Sequence, residues 1–383
     1  MITKTWQLTT ILFAFSLAIY FATSAGDTAF NHFTLLADSF RQGKIYIEGD
    51  MPWLEKIPID ESKFYVANPP MPAVVSVLPV LLFGKNYPQQ YIAHIVSALL
   101  VIMTSLVAFK IKNNIKLAIW SGLLVGFGTL NWYLATVGST WYLAHLVAQL
   151  FLTIAILLLI KNKSPLLIGF FIGCAYFSRI PTILALPFFL FNLPRPFLKN
   201  LILLGLGILP LVLTNFLYNY ARFGVIWDIG YTMIPGVATE SWYAKGLVHP
   251  DYIREHLKII FTSLPSFEDL ISLNKPSLFG YAIWFTTPAF IYSLFNNIKS
   301  KTVWSSWIGI ILISLLIFSH GSTGFSQFGY RFAADFYPIL IFLTILGVSN
   351  KKGPGWLHWL FLFTSILVNL WGVLLLNNLI RLS

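Results

Sequence analysis

The sequence predicts an all-α polytopic membrane protein, a bundle of about eleven transmembrane helices with further helices lying at its outer face. Three observations carry that fold class. The 383-residue chain is 57% hydrophobic and only 10% charged, whereas soluble domains carry about 25% charged residues. Apolar runs long enough to cross a bilayer, about 20 residues each, recur along its whole length. Basic and acidic residues also sort into alternate connections between those runs, as in a chain threaded back and forth through a membrane.

The runs lie at about 6–23, 89–109, 117–137, 140–160, 164–178, 181–193, 199–219, 278–297, 302–319, 335–348 and 354–377. Several are short, which predicts tilted or broken helices. Lys4 ahead of a run ending in Ala22, Ser24 and Ala25 resembles a signal peptide, but the run is longer and more aromatic than a cleaved leader, so it reads as the first span. Residues 71–83 are apolar too. Their thirteen residues, with Pro72 and Pro79, predict a re-entrant or interfacial segment rather than a crossing.

Charge then sets the topology. With the N-terminus cytoplasmic, one set of connections holds Lys4, Lys110, Lys112, Lys116, Lys161, Lys163, Arg195, Lys199, Lys299, Lys301, Lys351 and Lys352, and no Asp or Glu. All fourteen acids fall on the other side. Counting 71–83 as a crossing would move Lys110–Lys116 outward and break the pattern, so the positive-inside rule supports both the orientation and the re-entrant reading. It also accounts for the net charge of +11 as short basic loops facing an anionic leaflet, not a nucleic-acid surface. Cys174, the only cysteine, sits inside an apolar run, which excludes disulfides and cysteine metal sites. The expectation is a multi-pass protein of the cytoplasmic membrane with its working face outward.

Two large outer regions follow, 24–88 and 220–277, with a shorter one at 320–334 and an amphipathic helix expected near Pro250–Ser263. The whole chain, 1–383, reads as one membrane domain without a soluble C-terminal domain. The first outer region dominates the chemistry. Residues 24–72 hold Asp27, Asp38, Glu48, Asp50, Glu55, Asp60 and Glu61, half of all the acids. Apolar residues at 33, 36, 37 and 40 predict a helix lying flat on the membrane, stopped at Gly43. Just before it, in Asp27-Thr28-Ala29-Phe30-Asn31-His32, Asp27 is expected at the water–lipid boundary. There partial desolvation raises a carboxylate's basicity and suits a general base acting on a hydroxyl. The alternative role is a helix cap.

Asp60 and Glu61, followed by Lys63-Phe64-Tyr65-Val66-Ala67-Asn68-Pro69-Pro70, offer oxygen ligands for a sugar or a divalent cation, or form a solvated turn. Arg179, Arg222 and Arg331 sit at outer boundaries, where an arginine is costly unless it pairs or snorkels. On one face they would grip a phosphate with forked donors. Arg331 has an alternative partner at i,i+4 in Asp335. His145 and His320 read as structural. No polar pair is expected mid-span, which argues against a transporter.

This layout resembles the GT-C class of membrane glycosyltransferases. NHFTLLADSFRQGKIYI followed by KFYVANPPMPAVVSVLPVLLFG resembles the first periplasmic loop of bacterial dolichyl-phosphate-mannose-protein mannosyltransferase-like proteins and of aminoarabinose transferases. NYARFG and QFGYRFAADFYP are similar to stretches of bacterial members of the class. The resemblance implies a polyprenyl-phosphate sugar as donor, no covalently bound cofactor, and a catalytic acid in the first outer loop at the position of Asp27. Together with the residue chemistry above, the expected substrate contacts are Asn31, His32, Asp60, Glu61, Tyr65, Arg179, Arg222 and Arg331. Members often carry two adjacent acids where this chain has Asp27-Thr28. A divalent cation would fall to Asp27 and Asp60.

The implied acceptor is a hydroxyl of a lipid-linked glycan or another envelope molecule. The implied reaction is a single inverting displacement, with one carboxylate as base, arginines holding the departing phosphate, and Trp53, Tyr65, Trp242 and Tyr243 available to stack on sugars. A lipid or polysaccharide carrier and a diphosphate-lipid-dependent polymerase or ligase are the alternatives.

Overall fold

The computed structural model describes the chain apart from residues 1, 50, 52–54, 269–278, 325–326, 351–352 and 378–383, and the side chains of 2–5. Asp50, Trp53, Lys351, Lys352 and the side chain of Lys4 therefore lie outside the described residues.

The chain is helical in every predicted apolar run. Helix α1 spans Ile2–Ala22, α4 Gln89–Ile111, α5 Ile115–Phe127, α6 Asn131–Val137, α7 Thr140–Ile160 and α8 Pro165–Tyr176. A 3₁₀ segment, Ile180–Ala185, continues into α9, Leu186–Asn192, and α10 is the longest helix at Phe197–Phe223. Later come the helical turns Ile283–Thr286 and Pro288–Leu294 and the helices Lys301–Phe318, Tyr337–Ser349 and Trp356–Leu376. Among the described residues, five of these are long and apolar enough to cross a membrane alone: α4, α7, α10, Lys301–Phe318 and Trp356–Leu376. Helices α5 and α6 form a sixth as a pair bent by 53°. The remainder are short, as the interrupted apolar runs predict.

Local chemistry sets the joints. Helix α6 stops at Gly138, whose φ of +58° suits glycine. A Cβ there would also fall 2.3 Å from Cα of Gln90, so the turn into α7 presses directly on the start of α4. Gly169 of α8 and Gly207 of α10 do the same for their helices. A Cβ on either would meet a facing carbonyl, Leu204 O at 2.0 Å or Leu166 O at 2.1 Å. Small residues permit such backbone contact in lipid, where apolar burial alone does not hold helices together.

Hydrogen bonds sort the connections into two ends. At one, Lys112 Nζ donates to Ser349 O at 2.6 Å, Asn350 Nδ2 to Phe295 O at 3.0 Å, and Asn192 Nδ2 to Ser305 Oγ at 3.0 Å. These are the basic connections. At the other end, Ala25 N donates to Thr136 O at 3.1 Å and His249 N to Ser319 O at 2.7 Å, while Asn377 Nδ2 donates to Thr23 O at 3.0 Å. The acidic connections thus share one end of the bundle.

That end carries the remaining structure. Helix α2, His32–Arg41, buries Phe33, Leu36 and Ala37 and ends before Gly43 at φ +70°, on the predicted spacing. It packs against α3, Met71–Phe83. At thirteen residues, α3 is about 20 Å long, too short for a hydrocarbon core of about 30 Å. It leaves Leu78, Leu81, Leu82 and Phe83 exposed. Between α2 and α3 lies a small antiparallel sheet ordered β1 (Ile47–Glu48), β3 (Lys63–Val66), β2 (Lys56–Pro58). The amphipathic helix α11, Ile253–Thr262, follows a 3₁₀ turn at Pro250–Tyr252. A parallel pair, β4 (Phe279–Tyr281) with β5 (Gln327–Gly329), ties the start of the 278–297 run, which is extended there rather than helical, to the third outer region.

One expectation about the interior is corrected. Asn131 and Gln149 form a reciprocal buried amide pair, at 3.0 and 2.8 Å. The break between α5 and α6 turns Asn131 toward Gln149, which lies more than two turns into α7. Both groups are neutral, and each satisfies the other.

Candidate functional site

At the acidic end the loops close over a cavity of about 160 Å³. Ala67, Asn68 and Pro69 supply one wall, where β3 exits toward α3. Trp141 and His145 come from the first turns of α7, four residues apart and so on one helix face. Arg179 stands at the junction of α8 with the 3₁₀ segment, Asp228 and Tyr231 belong to the second outer region, and His320, Arg331 and Phe332 to the third.

The cationic wall is organised by Asp335, whose side chain is wholly inaccessible. Arg179 donates to it through Nε at 3.0 Å and Nη2 at 2.8 Å, a forked pair that fixes the guanidinium plane. His145 Nδ1 lies 2.8 Å from the same carboxylate. A carboxylate only accepts, so Nδ1 carries the proton. The expected ion pair of Arg331 with Asp335 is therefore replaced. Residues 331–335 form a 3₁₀ turn, in which i and i+3 rather than i+4 eclipse, and both oxygens of Asp335 turn to Arg179 and His145. Arg331 stacks among rings instead, 5.3 Å from Phe332, 5.7 Å from Tyr142 and 5.9 Å from Trp141.

Glu55 stands behind this cavity. It accepts from Trp141 Nε1 at 2.7 Å and from Tyr231 Oη at 3.1 Å, tying the first outer region to α7 and to the second. Burial pushes its carboxyl above the usual glutamate range, against the pull of those two donors and of Arg331. Asp228 is exposed, with Oδ1 held by Gly230 N–H at 3.0 Å. Burial lowers the His320 imidazole, opposed by its bond to Ser322 O.

The residues proposed from sequence fall in three groups. Arg179 and Arg331 line the cavity. His32 packs on its Trp141, 6.4 Å between ring centroids, while Asp27 and Asn31, earlier in the same segment, do not line it. Asp27 is exposed and accepts from Gln90 Nε2 at 2.7 Å, and the N-cap position of α2 falls to Asn31 rather than to Asp27, without a side-chain cap bond. His32 is buried, with Nδ1 2.6 Å from Thr140 Oγ1, and burial pushes it down to about 3. The rest lie elsewhere.

Asp60 and Glu61 are exposed at the β2–β3 turn, where Asp60 accepts from Ser62 N and Lys63 N and pairs with Lys63 Nζ at 3.1 Å. Arg222 is buried between Tyr218 and Phe223 and donates to Val66 O and Asn219 Oδ1. Tyr65 meets Phe223 edge to face, Trp242 is exposed, and Tyr243 is buried beside His320. Among the described residues no three His, Cys, Asp or Glu side chains gather as a metal group. Sequence reasoning named Glu55 and Asn68 only as members of the first outer region, without a role, and passed over Trp141, Asp228 and Tyr231. Listing every outer acid would have brought up Asp228.

Beside the cavity runs an apolar groove of about 840 Å³ between α11, the 283–294 turns, Lys301–Phe318 and Trp356–Leu376. Its wall residue Phe318 stacks on His256 of α11 at 5.8 Å, and His256 packs on Phe332 of the cavity at 6.3 Å. One layer of rings separates the two spaces.

No family model matches the chain, and no curated protein sequence matches it either. Among solved structures the fold is similar to that of the archaeal oligosaccharyltransferase AglB from Archaeoglobus fulgidus, in complex with an inhibitory peptide and a dolichol-phosphate. The TM-score is 0.51 at 12% identity, over 98% of this chain and 55% of that one, so the chain spans about half the length of that enzyme. The fold is thus that of a polytopic, all-α membrane protein of the GT-C type.

Proposed function

We propose that this protein is an inverting glycosyltransferase of the GT-C class. It moves a sugar from a polyprenyl-phosphate donor to a hydroxyl on a membrane-associated acceptor, at the outer face of the cytoplasmic membrane. The observation that carries this reading is the pairing of two spaces at the acidic end. A cavity walled by Arg179 and Arg331 is suited to a sugar phosphate, and the apolar groove one ring layer away is suited to its lipid chain. At about 30 Å³ per water, the cavity has room for about five waters and so for a compact polar headgroup. The groove is in the range of pockets that enclose a whole apolar ligand, about 300–1,000 Å³. The solved GT-C neighbour was captured with a dolichol-phosphate, a lipid of the same chemistry.

In this reading the acceptor oxygen attacks the anomeric carbon from the face opposite the phosphate. The phosphate leaves without a strong general acid, and Arg179 and Arg331 stabilise its growing charge as preorganised donors. One outer carboxylate takes the acceptor proton; the resemblance implies Asp27 for that part, although Asp27 lies outside the cavity lining. The basic connections face the cytoplasm and the cavity faces outward.

Purified protein in detergent, given a panel of radiolabelled polyprenyl-phosphate sugars and a membrane-glycan extract, is expected to form glycosylated product. Arg331→Ala and Arg179→Ala are expected to raise donor KM, and Asp27→Asn to abolish transfer if that residue is the base. Movement of labelled lipid across proteoliposomes without any glycosyl product would replace this reading with that of a carrier.

A further inference from the structure

Resting on the glycosyl-transfer reading, we propose that Asp228 is a catalytic carboxylate of this protein, the group that takes the proton from the acceptor hydroxyl. Among the described residues lining the cavity it is the only Asp or Glu, and it shares that wall with Arg179 and Arg331. Base and phosphate grip therefore border one space, as a single displacement requires.

The carboxylate is held but not consumed. Oδ1 accepts from Gly230 N–H at 3.0 Å, which fixes the side chain against its own turn, and among the described residues no donor is bonded to Oδ2. The turn itself is pinned. A Cβ on Gly230 would fall 2.7 Å from Ala67 O, so Asp228-Ile229-Gly230 lies directly on the Ala67-Asn68-Pro69 wall.

Among the described residues, the neighbouring acids are engaged or elsewhere. Asp335 spends both oxygens on Arg179 and His145. Glu55 spends both on Trp141 and Tyr231. Asp60 is bound within its own turn, and Asp27 reaches Gln90 outside the cavity lining. A general base needs an oxygen within reach of the proton it removes, and Asp228 offers one.

The step balances with donor and acceptor alone. The acceptor oxygen forms its bond to the anomeric carbon, and the bond from that carbon to the phosphate oxygen breaks, its electron pair leaving on the phosphate. The acceptor proton passes to Oδ2 of Asp228, which releases it to water as the product departs.

The test compares wild type, Asp228→Asn and Asp228→Glu in the transfer assay, using the full chain in detergent. Asparagine keeps Oδ1 and so keeps the Gly230 bond. Asp228→Asn is expected to lower kcat at least about 100-fold while donor KM stays within about twofold, with Asp228→Glu between it and wild type. Full activity of Asp228→Asn in a preparation whose wild type transfers sugar would overturn the proposal and leave the function intact. So would a rise in donor KM with kcat unchanged, which would make Asp228 a binding residue only. A wild type that transfers from no donor would overturn both. Should Asp228→Asn fail to fold, Asp228→Ala with added formate decides the matter: restored transfer supports the role of base, and no restoration overturns it.

Discussion

Replacing Asp335 by Asn should cost both stability and donor affinity. The wild-type carboxylate accepts three charge-assisted hydrogen bonds, from Arg179 Nε and Nη2 and from His145 Nδ1. An amide there can accept through one atom only, and its NH₂ faces donors. Removing one partner of a buried ion pair costs about 3–5 kcal/mol, because the remaining charge is left uncompensated. The Arg179 side chain is 20% accessible, so water relieves part of that penalty and the lower end, about 3 kcal/mol, is expected. Thermal unfolding in detergent reads this directly.

The double variant Arg179→Met, Asp335→Leu should be more stable than Asp335→Asn alone, since it strands no charge. Asp335 positions Arg179 rather than touching donor, so the catalytic consequence should appear in donor KM. Loss of one aligned charge-assisted bond, about 1.5–3 kcal/mol, corresponds to a rise of about 10- to 100-fold. Stability within about 0.5 kcal/mol of wild type, together with an unchanged KM, would show that Arg179 is held by something other than Asp335.

Three further outcomes are expected. Arg222→Lys should lower thermal stability by about 1–3 kcal/mol and leave donor KM unchanged, because lysine replaces neither the stacking on Tyr218 and Phe223 nor the two-way bonding to Val66 O and Asn219; a KM effect without a stability effect would place Arg222 at the phosphate instead. Gly169→Ala should destabilise by about 1–3 kcal/mol through overpacking against Leu204 O, whereas Gly205→Ala, whose Cβ meets nothing within 4 Å, should be neutral or slightly stabilising; equal midpoints for the two would refute the close α8–α10 contact. Burial raises the Glu55 carboxyl above its unfolded value, so its share of stability is fully present at low pH and is lost as pH rises through the raised value. Glu55→Gln can keep both bonds, donating to Tyr231 and accepting from Trp141, and its unfolding midpoint should fall less than that of wild type between the ordinary glutamate range and neutrality.

How much of this was legible in the sequence depended on how far apart the interacting residues lie. The helical character of the apolar runs was legible because each is a local run of apolar residues; which of them cross alone was not, and among the described residues five helices are long and apolar enough. The two ends of the bundle were legible because the basic connections exclude acids. Helix α2 could be read from residues 33, 36, 37 and 40 alone, since its buried stripe repeats within ten residues. The cavity has no such local signature. Arg179 and Asp335 are 156 positions apart and His145 and Asp335 are 190 apart, so sequence could offer Asp335 only a neighbour, Arg331, and the structure gives it two distant partners instead. Arg222 shows the converse in part: Asn219 and Phe223, two of the residues that hold it, stood in NYARFG itself, with Tyr218 just ahead of the motif, and only Val66 O came from a distant segment. Asp228 stood isolated among apolar neighbours, Ile226, Trp227 and Ile229, with nothing to mark it until the turn at Gly230 set it against Ala67. In a chain with only fourteen acids, the useful question was which carboxylate keeps an open oxygen in a wall shared with arginines. Folding answers it by engaging Asp335 and Glu55 with partners from distant segments and leaving an oxygen of Asp228 open at the cavity that Arg179 and Arg331 share.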